Sequence, residues 1–280
     1  MKLKFKTLLC VSLLLVVCGI APALSAELNQ AAVDGFNQYS QITEQKMNDE
    51  IQSGHFLWID LLPADERNAA YARLRKGDVL TEKLEMTDNG REIETPNAMI
   101  HDWVSIIFVP GVNMRQVKVF FQNYENMPDY YHPDVVRSKI LSHRGDYFKI
   151  YIRMRVEKIL TFVVNTTQEV NYKQLDKKHL ISISDATRIA EVENADTPKE
   201  HELPVGNDRG LLWGSKSYWR AEEKDGGVYV QCEALTLTRD IPVVVKPLVK
   251  PFLNSTPKEL LETMMANVRK GAESSAKEMG

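Results

Sequence analysis

The segment that decides the fold reads YFKIYIRMRVE and spans residues 147–157. Apolar side chains alternate strictly with polar ones along it. Because successive side chains of a β-strand point to opposite faces, this strand has one apolar (dry) face and one polar, solvent-facing side. Such alternation is typical of an antiparallel sheet that is covered on a single side.

Segments on both sides of it have the same strand-like character, so the sequence predicts six strands in succession. They lie at about 134–144, 146–157, 160–173, 178–193, 210–223 and 227–239. Asp225-Gly226-Gly227 joins the last two, and Asp-Gly is typical of a tight hairpin turn. A further strand is predicted over 100–109, ending at Pro110-Gly111. Apolar residues then recur at helical spacing over 113–127, which predicts a helix.

The chain closes with a predicted helix that begins at Ser255-Thr256-Pro257-Lys258-Glu259. Thr at the cap, Pro at the first position and Glu at the third form a capping box. The apolar face of this helix consists of Leu260, Leu261, Met264, Met265 and Val268. An antiparallel sheet has to cover its dry face, and this helix is the longest cover available. We therefore predict an α+β fold, in which a curved antiparallel sheet of about seven strands wraps around the C-terminal helix.

Residues 27–97 are expected to form a mostly helical extension before that domain, which spans 98–270, and residues 271–280 are expected to form a flexible tail. The first helix reaches about Gln52, and its apolar face comprises Leu28, Ala31, Ala32, Gly35, Phe36, Tyr39 and Ile42. A second helix follows Pro63 and stops at Gly77. The hypotheses left open are that this extension docks a partner or covers a cavity mouth as a lid.

A hairpin is predicted within the extension at Asp88-Asn89-Gly90-Arg91. Asn-Gly between two strand-like segments favours a two-residue turn, because both central residues of that turn need a positive φ. The flanking segments are residues 80–86 and 91–95.

Residues 1–26 have the three parts of a signal peptide for export. Three lysines form a basic start, an apolar run over 8–20 follows, and small residues up to Ala26 offer a cleavage site. The run is shorter than the roughly 20 apolar residues that a membrane-spanning helix needs. We expect a secreted or periplasmic protein, cleaved near Ala26 and with no transmembrane span in the mature chain.

Leu15-Val16-Val17-Cys18-Gly19 resembles the motif at which bacterial lipoproteins are acylated. That motif needs a small residue before the cysteine, and Val17 is bulky, so a lipid anchor at Cys18 is the alternative to simple export. Without the signal peptide, Cys232 has no partner for an intramolecular disulfide. Loss of three lysines also lowers the formal net charge from −3. An acidic chain lacks the basic face of a nucleic-acid-binding protein, so no nucleic-acid partner is expected.

Most motifs that carry chemistry are missing from the sequence. It holds no phosphate loop, dinucleotide fingerprint or nucleophile elbow, and its six histidines are scattered without metal-ligand spacing. Cys232 lies mid-strand in apolar company, which raises the pKa of a thiol and favours a structural role. We therefore expect no catalytic residue, no metal and no cofactor.

The element order resembles the helix-grip fold of the START-like (SRPBCC) superfamily, and the last third carries the resemblance. The matching segments are Trp213 with Ser217–Arg220, Asp225–Ala234, Leu237–Pro242 and Thr256–Leu261. They are similar to bacterial polyketide cyclase/dehydrase and lipid-transport members, over roughly residues 98–270. The resemblance implies a fold, and no catalytic motif is shared across the superfamily.

A curved sheet that grips one helix often leaves an apolar cavity between them. Strand parity selects the residues that would line it: Phe148, Ile150, Ile152, Met154, Val164, Trp213, Ser217, Trp219, Val230, Cys232 and Ala234. The same residues would also fill a solid core. The leading hypothesis is an exported protein that binds or carries a hydrophobic small molecule or lipid. The alternatives are a cyclase/dehydrase-like enzyme using the same cavity, which export argues against, and an envelope interaction module. The oligomeric state is left open.

Overall fold

The computed structural model describes residues 26–157, 161–240 and 246–279, with side chains of the last range from Pro257 onward. The predicted signal peptide lies outside these ranges apart from Ala26. The strands are β1 (Ala26–Glu27), β2 (Leu80–Lys83), β3 (Thr87–Asp88), β4 (Arg91–Glu92), β5 (Ala98–Pro110), β6 (Val135–Arg144), β7 (Tyr147–Glu157), β8 (Thr161–Gln174), β9 (His179–Glu193), β10 (His201–Glu202), β11 (Asn207–Asp208), β12 (Gly214–Lys224) and β13 (Gly227–Arg239). The helices are α1 (Gln30–Gln52), α2 (Ala64–Arg75), α3 (Met114–Gln122), α4 (Met127–Tyr130) and α5 (Lys246–Glu278).

Nine of the described strands form one antiparallel sheet. Its order is β2-β5-β13-β12-β9-β8-β7-β6, and β10 pairs with β9 beside this path. The seven strands expected from the alternating segments are all present, so the predicted α+β class and the antiparallel sheet are confirmed. The two additional members are β2, which the N-terminal extension supplies to the edge next to β5, and the short β10.

One face of the sheet packs against α5, and we call it the inner face. Leu261, Met265, Val268 and Ala272 of the helix are buried there with side chains from β5, β7 and β13. The long C-terminal helix on an antiparallel sheet is the predicted helix-grip arrangement. None of the helices within the described ranges is long and apolar enough to cross a membrane.

Both ends of α5 differ from the sequence prediction. The helix begins at Lys246 rather than at Pro257, so the expected capping box lies inside the helix. It ends at Glu278, and Ala272 and Ser275 are buried, so the segment expected to be a flexible tail is helical. The tail was misjudged because its small residues gave a weak apolar pattern, whereas tertiary packing stabilises the helix.

The opposite face of the sheet is covered by the N-terminal extension, and we call it the outer face. Two apolar clusters lie between the extension and the sheet. The first packs side chains of the extension against Ile106, Phe108 and Tyr229 of the sheet, and its extension members are Phe56, Leu57, Ile59, Tyr71 and Leu74. The second packs Phe36, Tyr39 and Met47 of α1 against Tyr218, Leu235 and Leu237. The predicted apolar face of α1 is therefore largely buried on the sheet. Most of the extension backs the sheet on the side away from α5 rather than covering the inner face as a lid. Its segment at 77–79 meets α5, since Arg269 donates to the carbonyl oxygens of Gly77 and Asp78, and Val79 packs against the inner-face cluster.

Local sequence explains how the extension is held. Asn29 caps α1, since its side-chain oxygen accepts a hydrogen bond from the backbone N–H of Ala32 at 2.8 Å. Gly35 lies so close to the following hairpin that a Cβ there would stand 2.3 Å from the carbonyl oxygen of Glu94. Asn89 and Gly90 both have positive φ angles, 50° and 79°, which confirms the predicted hairpin turn.

Candidate functional site

Two neighbouring rows of side chains cross the middle of the inner face, because directly paired residues of antiparallel strands share a face. The first row consists of Trp103, Ala234, Ser217, Ser184, Val170 and Phe148. The second row consists of Ser105, Cys232, Trp219, Ser182 and Tyr172. We call the surface formed by these two rows the inner groove.

The centre of the inner groove is built from small side chains. Ala234, Ser217 and Ser184 lie between the large rings of Trp103 and Phe148 in the first row. Ala234 and Ser217 keep part of their surface accessible although they belong to central strands of the sheet. Small side chains flanked by large rings therefore fill less space at the centre of this face than at its two sides.

Most of the residues selected by strand parity come together here. Phe148, Ile150, Ile152, Val230 and Cys232 are buried in the inner-face cluster, and Met154, Trp219 and Ala234 pack half-buried against it. Ser217 lies in the first row, and Val164 is buried beside Met154, its register partner. Ten of the eleven predicted residues thus share the inner face.

Trp213 is the exception. It packs against the outer-face cluster, and its indole N–H donates to the Asp208 carboxylate at 2.9 Å. The alternation of the strand does not extend to this position, because β12 begins at Gly214. Trp213 is therefore not part of the inner groove.

A pair of tyrosine hydroxyls closes one end of the groove, and the sequence did not single it out. The hydroxyls of Tyr124 and Tyr172 are 2.5 Å apart, and the Tyr172 hydroxyl donates to the carbonyl oxygen of Phe121 at 3.1 Å. Burial raises the pKa of both tyrosines, so both stay protonated and act as neutral hydrogen-bonding groups. Tyr124 lies within the helix predicted over 113–127, and its contact with β8 depends on tertiary structure.

Uncharged polar side chains continue from this pair across β8 and β9. The Ser184 hydroxyl donates to Gln168 Oε1 at 2.8 Å, and Gln168 Nε2 donates to the Thr166 hydroxyl at 3.2 Å. Neither Gln168 nor Ser184 is among the residues predicted to line the groove, and strand pairing places both on the inner face. Here they give an apolar surface a polar but uncharged strip.

The two tryptophans of the groove differ in their hydrogen bonding. Trp219 Nε1 donates to the Ser217 hydroxyl at 3.1 Å, and its ring lies 5.3 Å from that of Phe121. Trp103 is 8% exposed, and its indole N–H is buried without a hydrogen-bond partner. An unmade bond at a buried donor typically costs about 1–3 kcal/mol, which an acceptor on a bound molecule would offset.

The cysteine of the groove is not a nucleophile. Cys232 is completely buried, and burial raises the pKa of its thiol well above the ordinary value. The thiolate, which is the reactive form, is therefore disfavoured. In the part of the chain that the structure describes, no three His, Cys, Asp or Glu side chains are grouped so that they could hold a metal ion.

Charged side chains collect on the outer face of the same strands. Arg220 Nη1 lies 2.7 Å from the Glu50 carboxylate of α1, and its Nη2 lies 3.8 Å from Glu233. Tyr39 of α1 donates to the Asp102 carboxylate at 3.0 Å. Burial, together with the charge of Glu233, raises the pKa of Asp102 to about 8. Arg220 therefore faces α1 and not the inner groove.

No protein-family model and no curated relative matches this sequence. Among solved structures, the chain resembles an aromatase/cyclase from Streptomyces sp. R1128, with 11% identity and a TM-score of 0.43 over 62% of this chain and 94% of that one. It also resembles human STARD10, with 9% identity and a TM-score of 0.41 over 74% and 81%. A third is a STAR-related lipid transfer protein from Xanthomonas axonopodis, with 12% identity and a TM-score of 0.43 over 68% and 98%. The function therefore has to be argued from this chain's own residues.

Proposed function

We propose that this protein binds or carries a hydrophobic small molecule or lipid in the inner groove between the sheet and α5. The observation that carries the proposal is the group of small, uncharged side chains at Ala234, Ser217 and Ser184, two of them partly accessible, in the middle of an otherwise apolar face. Ligand pockets are mostly apolar, with a few polar groups that fix orientation. Lipid transfer proteins and a cyclase are among the structures named above, which agrees with this proposal.

The part of the ligand that enters the groove is uncharged. Neither row of the groove carries Asp, Glu, Lys or Arg, and an unpaired charge buried in such surroundings is strongly disfavoured. The indole N–H of Trp103 is a donor without a hydrogen-bond partner, so a carbonyl, ether or hydroxyl oxygen on the ligand can accept from it. A neutral hydrophobic molecule with one such oxygen is the expected class.

The enzyme alternative needs a group in the groove that accepts a proton. Tyr124 and Tyr172 are held in their protonated forms by burial, and the thiol of Cys232 is held likewise. Binding without chemistry therefore accounts for these residues better than a cyclase-like reaction does.

Export to the periplasm or the medium is part of the proposal. It is supported by the basic, apolar and small-residue parts of the predicted signal peptide at residues 1–26. Cell fractionation with and without that segment tests it. Retention of the full chain in the cytoplasm would contradict export without touching the groove.

The substitution Ala234→Leu tests the groove. In an open groove the larger side chain occupies ligand space, so we expect binding of a fluorescent neutral lipid probe to fall at least tenfold while stability is kept. In a solid core it would overpack and cost typically about 1–3 kcal/mol. Ala234→Ser is the matched control and should bind the probe as the wild type does. Native mass spectrometry of protein from its own host is the complementary measurement, and the absence of both bound ligand and probe binding would contradict the proposal.

A further inference from the structure

A cavity also lies on the outer face, between α2 and the sheet. Its lining is polar and charged, whereas the inner groove is apolar and uncharged. Its volume is about 660 Å³. We call it the polar cleft; its lining residues include Asp60, Arg67, Asn68, Tyr71, His179, Glu222 and Lys224. The floor is formed by the cross-strand partners His179 and Glu222, and the helix α2 forms one wall.

Two basic side chains of this wall lie on the same face of α2. Arg67, Tyr71 and Arg75 are four residues apart on α2, so they share one face of the helix. Lys224 of β12 reaches over the Tyr71 ring, with its Nζ 4.4 Å from the ring centroid and 3.2 Å from the Tyr71 hydroxyl. Arg67 uses one nitrogen to donate to the carbonyl oxygen of Asp60 at 3.2 Å. Arg67 and Lys224 therefore both retain N–H donors that can bind a further acceptor.

The acidic side chains of the cleft are already engaged with the protein. The two oxygens of Asp60 accept from the Tyr71 hydroxyl at 2.6 Å and from the backbone N–H of Leu57 at 2.9 Å. Asp225 accepts from Arg75 at 3.0 Å and from the Tyr229 hydroxyl at 2.8 Å. Asp225 is thus paired with Arg75 and Asp60 accepts from two neutral donors, which leaves Arg67 and Lys224 as the cations with donors free for a ligand.

Glu222 is the one carboxyl group of the cleft that is poorly satisfied. Its Oε2 is buried without a hydrogen-bond partner, and its Oε1 lies 3.6 Å from His179 Nε2. The other ring nitrogen of His179 is 2.8 Å from Asp176, and the ring packs against Phe56 at 4.6 Å. Burial raises the pKa of Glu222, which favours its neutral form and weakens the negative charge on the floor.

We propose that the polar cleft is a second binding site, which takes a small organic anion bearing a carboxylate or phosphate group. Arg67 and Lys224 hold the anionic group from two sides, and Tyr71 lies beneath it. The site is separate from the inner groove, because the sheet lies between them. This inference does not depend on the proposed lipid function.

Isothermal titration of the full mature chain with inorganic phosphate and with citrate tests the site. We expect saturable binding that weakens as salt is raised, because the attraction is between charges. Lys224→Met and Arg67→Met should each raise the dissociation constant about tenfold, since each removes a charge-assisted hydrogen bond. Lys258→Met on α5, on the other side of the sheet, is the matched control and should bind as the wild type does.

Two further readouts keep the result unambiguous. The free energy of unfolding measured in urea must be unchanged in both cleft variants, which shows that they are folded. Vesicles containing phosphatidic acid distinguish a lipid phosphate from a free one: binding to these vesicles, lost in Lys224→Met, would identify a headgroup as the source. No saturable binding of either anion, or equal binding by Lys224→Met and Lys258→Met, would overturn the proposal.

Discussion

The two faces of β12 and β13 are chemically opposite, although their residues alternate along the same strands. Ser217, Trp219, Cys232 and Ala234 point to the inner groove and carry no charge, whereas Tyr218, Arg220, Gln231 and Glu233 point to the outer face. Both sets are largely enclosed, the first by α5 and the second by the extension. Burial alone therefore does not decide which polar groups a face can hold.

The difference lies in what the covering element supplies. α1 brings Glu50 to Arg220 and Tyr39 to Asp102, so that charged groups on the outer face find partners. The unpartnered atoms there include both donors and acceptors, namely Arg220 Nε, Gln231 Nε2, Glu233 Oε1 and Asp102 Oδ1. On the inner face, the buried atom without a hydrogen-bond partner is a donor, the indole N–H of Trp103. The outer face thus receives partners from α1 for part of its polar groups, whereas on the inner face our proposal assigns that role to a ligand.

The largest expected effect comes from breaking the outer network. Arg220→Met leaves the carboxylates of Glu50 and Glu233 buried without their cation, which should lower the free energy of unfolding by about 3–5 kcal/mol. Urea denaturation measures it. Arg73→Met removes an exposed ion pair with Asp78 and should cost less than about 1 kcal/mol.

The triple variant with Arg220→Met, Glu50→Gln and Glu233→Gln sharpens this result. Removing all three charges should recover a large part of the lost stability, because the cost arises from unpaired buried charge rather than from missing volume. If Arg220→Met were as stable as Arg73→Met, the outer face would not need its cation, and the contrast between the faces would fail.

A smaller effect is expected from pH. The pKa of Asp102 is raised to about 8 in the folded protein by burial and by Glu233, whereas the unfolded chain ionises this carboxyl near its ordinary value. Its contribution to stability is fully present at low pH and is lost as pH rises through about 8. Relative to Asp102→Asn, the wild type should lose at least about 1.4 kcal/mol between pH 5 and pH 8.5, the free energy of one pKa unit.

Urea denaturation of both proteins over this pH range measures the difference. Asp65→Asn, an exposed position at the start of α2, is the control and should follow the wild type at every pH. Parallel curves for the wild type and Asp102→Asn would mean that the outer carboxyl group carries no extra proton.

The smallest effect is expected on the inner face. Trp103→Phe removes a donor without a partner, so the stability of the ligand-free protein should change by less than about 1 kcal/mol. Binding of a neutral lipid probe with a carbonyl should weaken about threefold to tenfold, because that ligand loses a hydrogen bond, while a pure hydrocarbon probe is unaffected. Equal weakening of both probes would assign Trp103 to packing alone.

The sequence alone determined the strands, the sheet and the covering helix. Period-two alternation depends only on local geometry; over 147–157 and the neighbouring strands it grouped ten of the eleven predicted residues on one face of the sheet. Trp213 was misplaced because alternation ends where the strand ends, at Gly214. Turn chemistry at Asn89-Gly90 was likewise local, and the hairpin formed where it was expected.

Only the tertiary structure decided where the extension packs and which polar groups meet. Arg220 and Glu50 are far apart in the chain, and so are Tyr124 and Tyr172 and the two walls of the polar cleft. Neither hydrophobic periodicity nor a helix-capping motif predicts such pairs, because each contact forms only when α1, α2 and α3 pack against the sheet. The local sequence pattern determines on which face of the sheet a side chain lies, and tertiary packing determines which groups it contacts there.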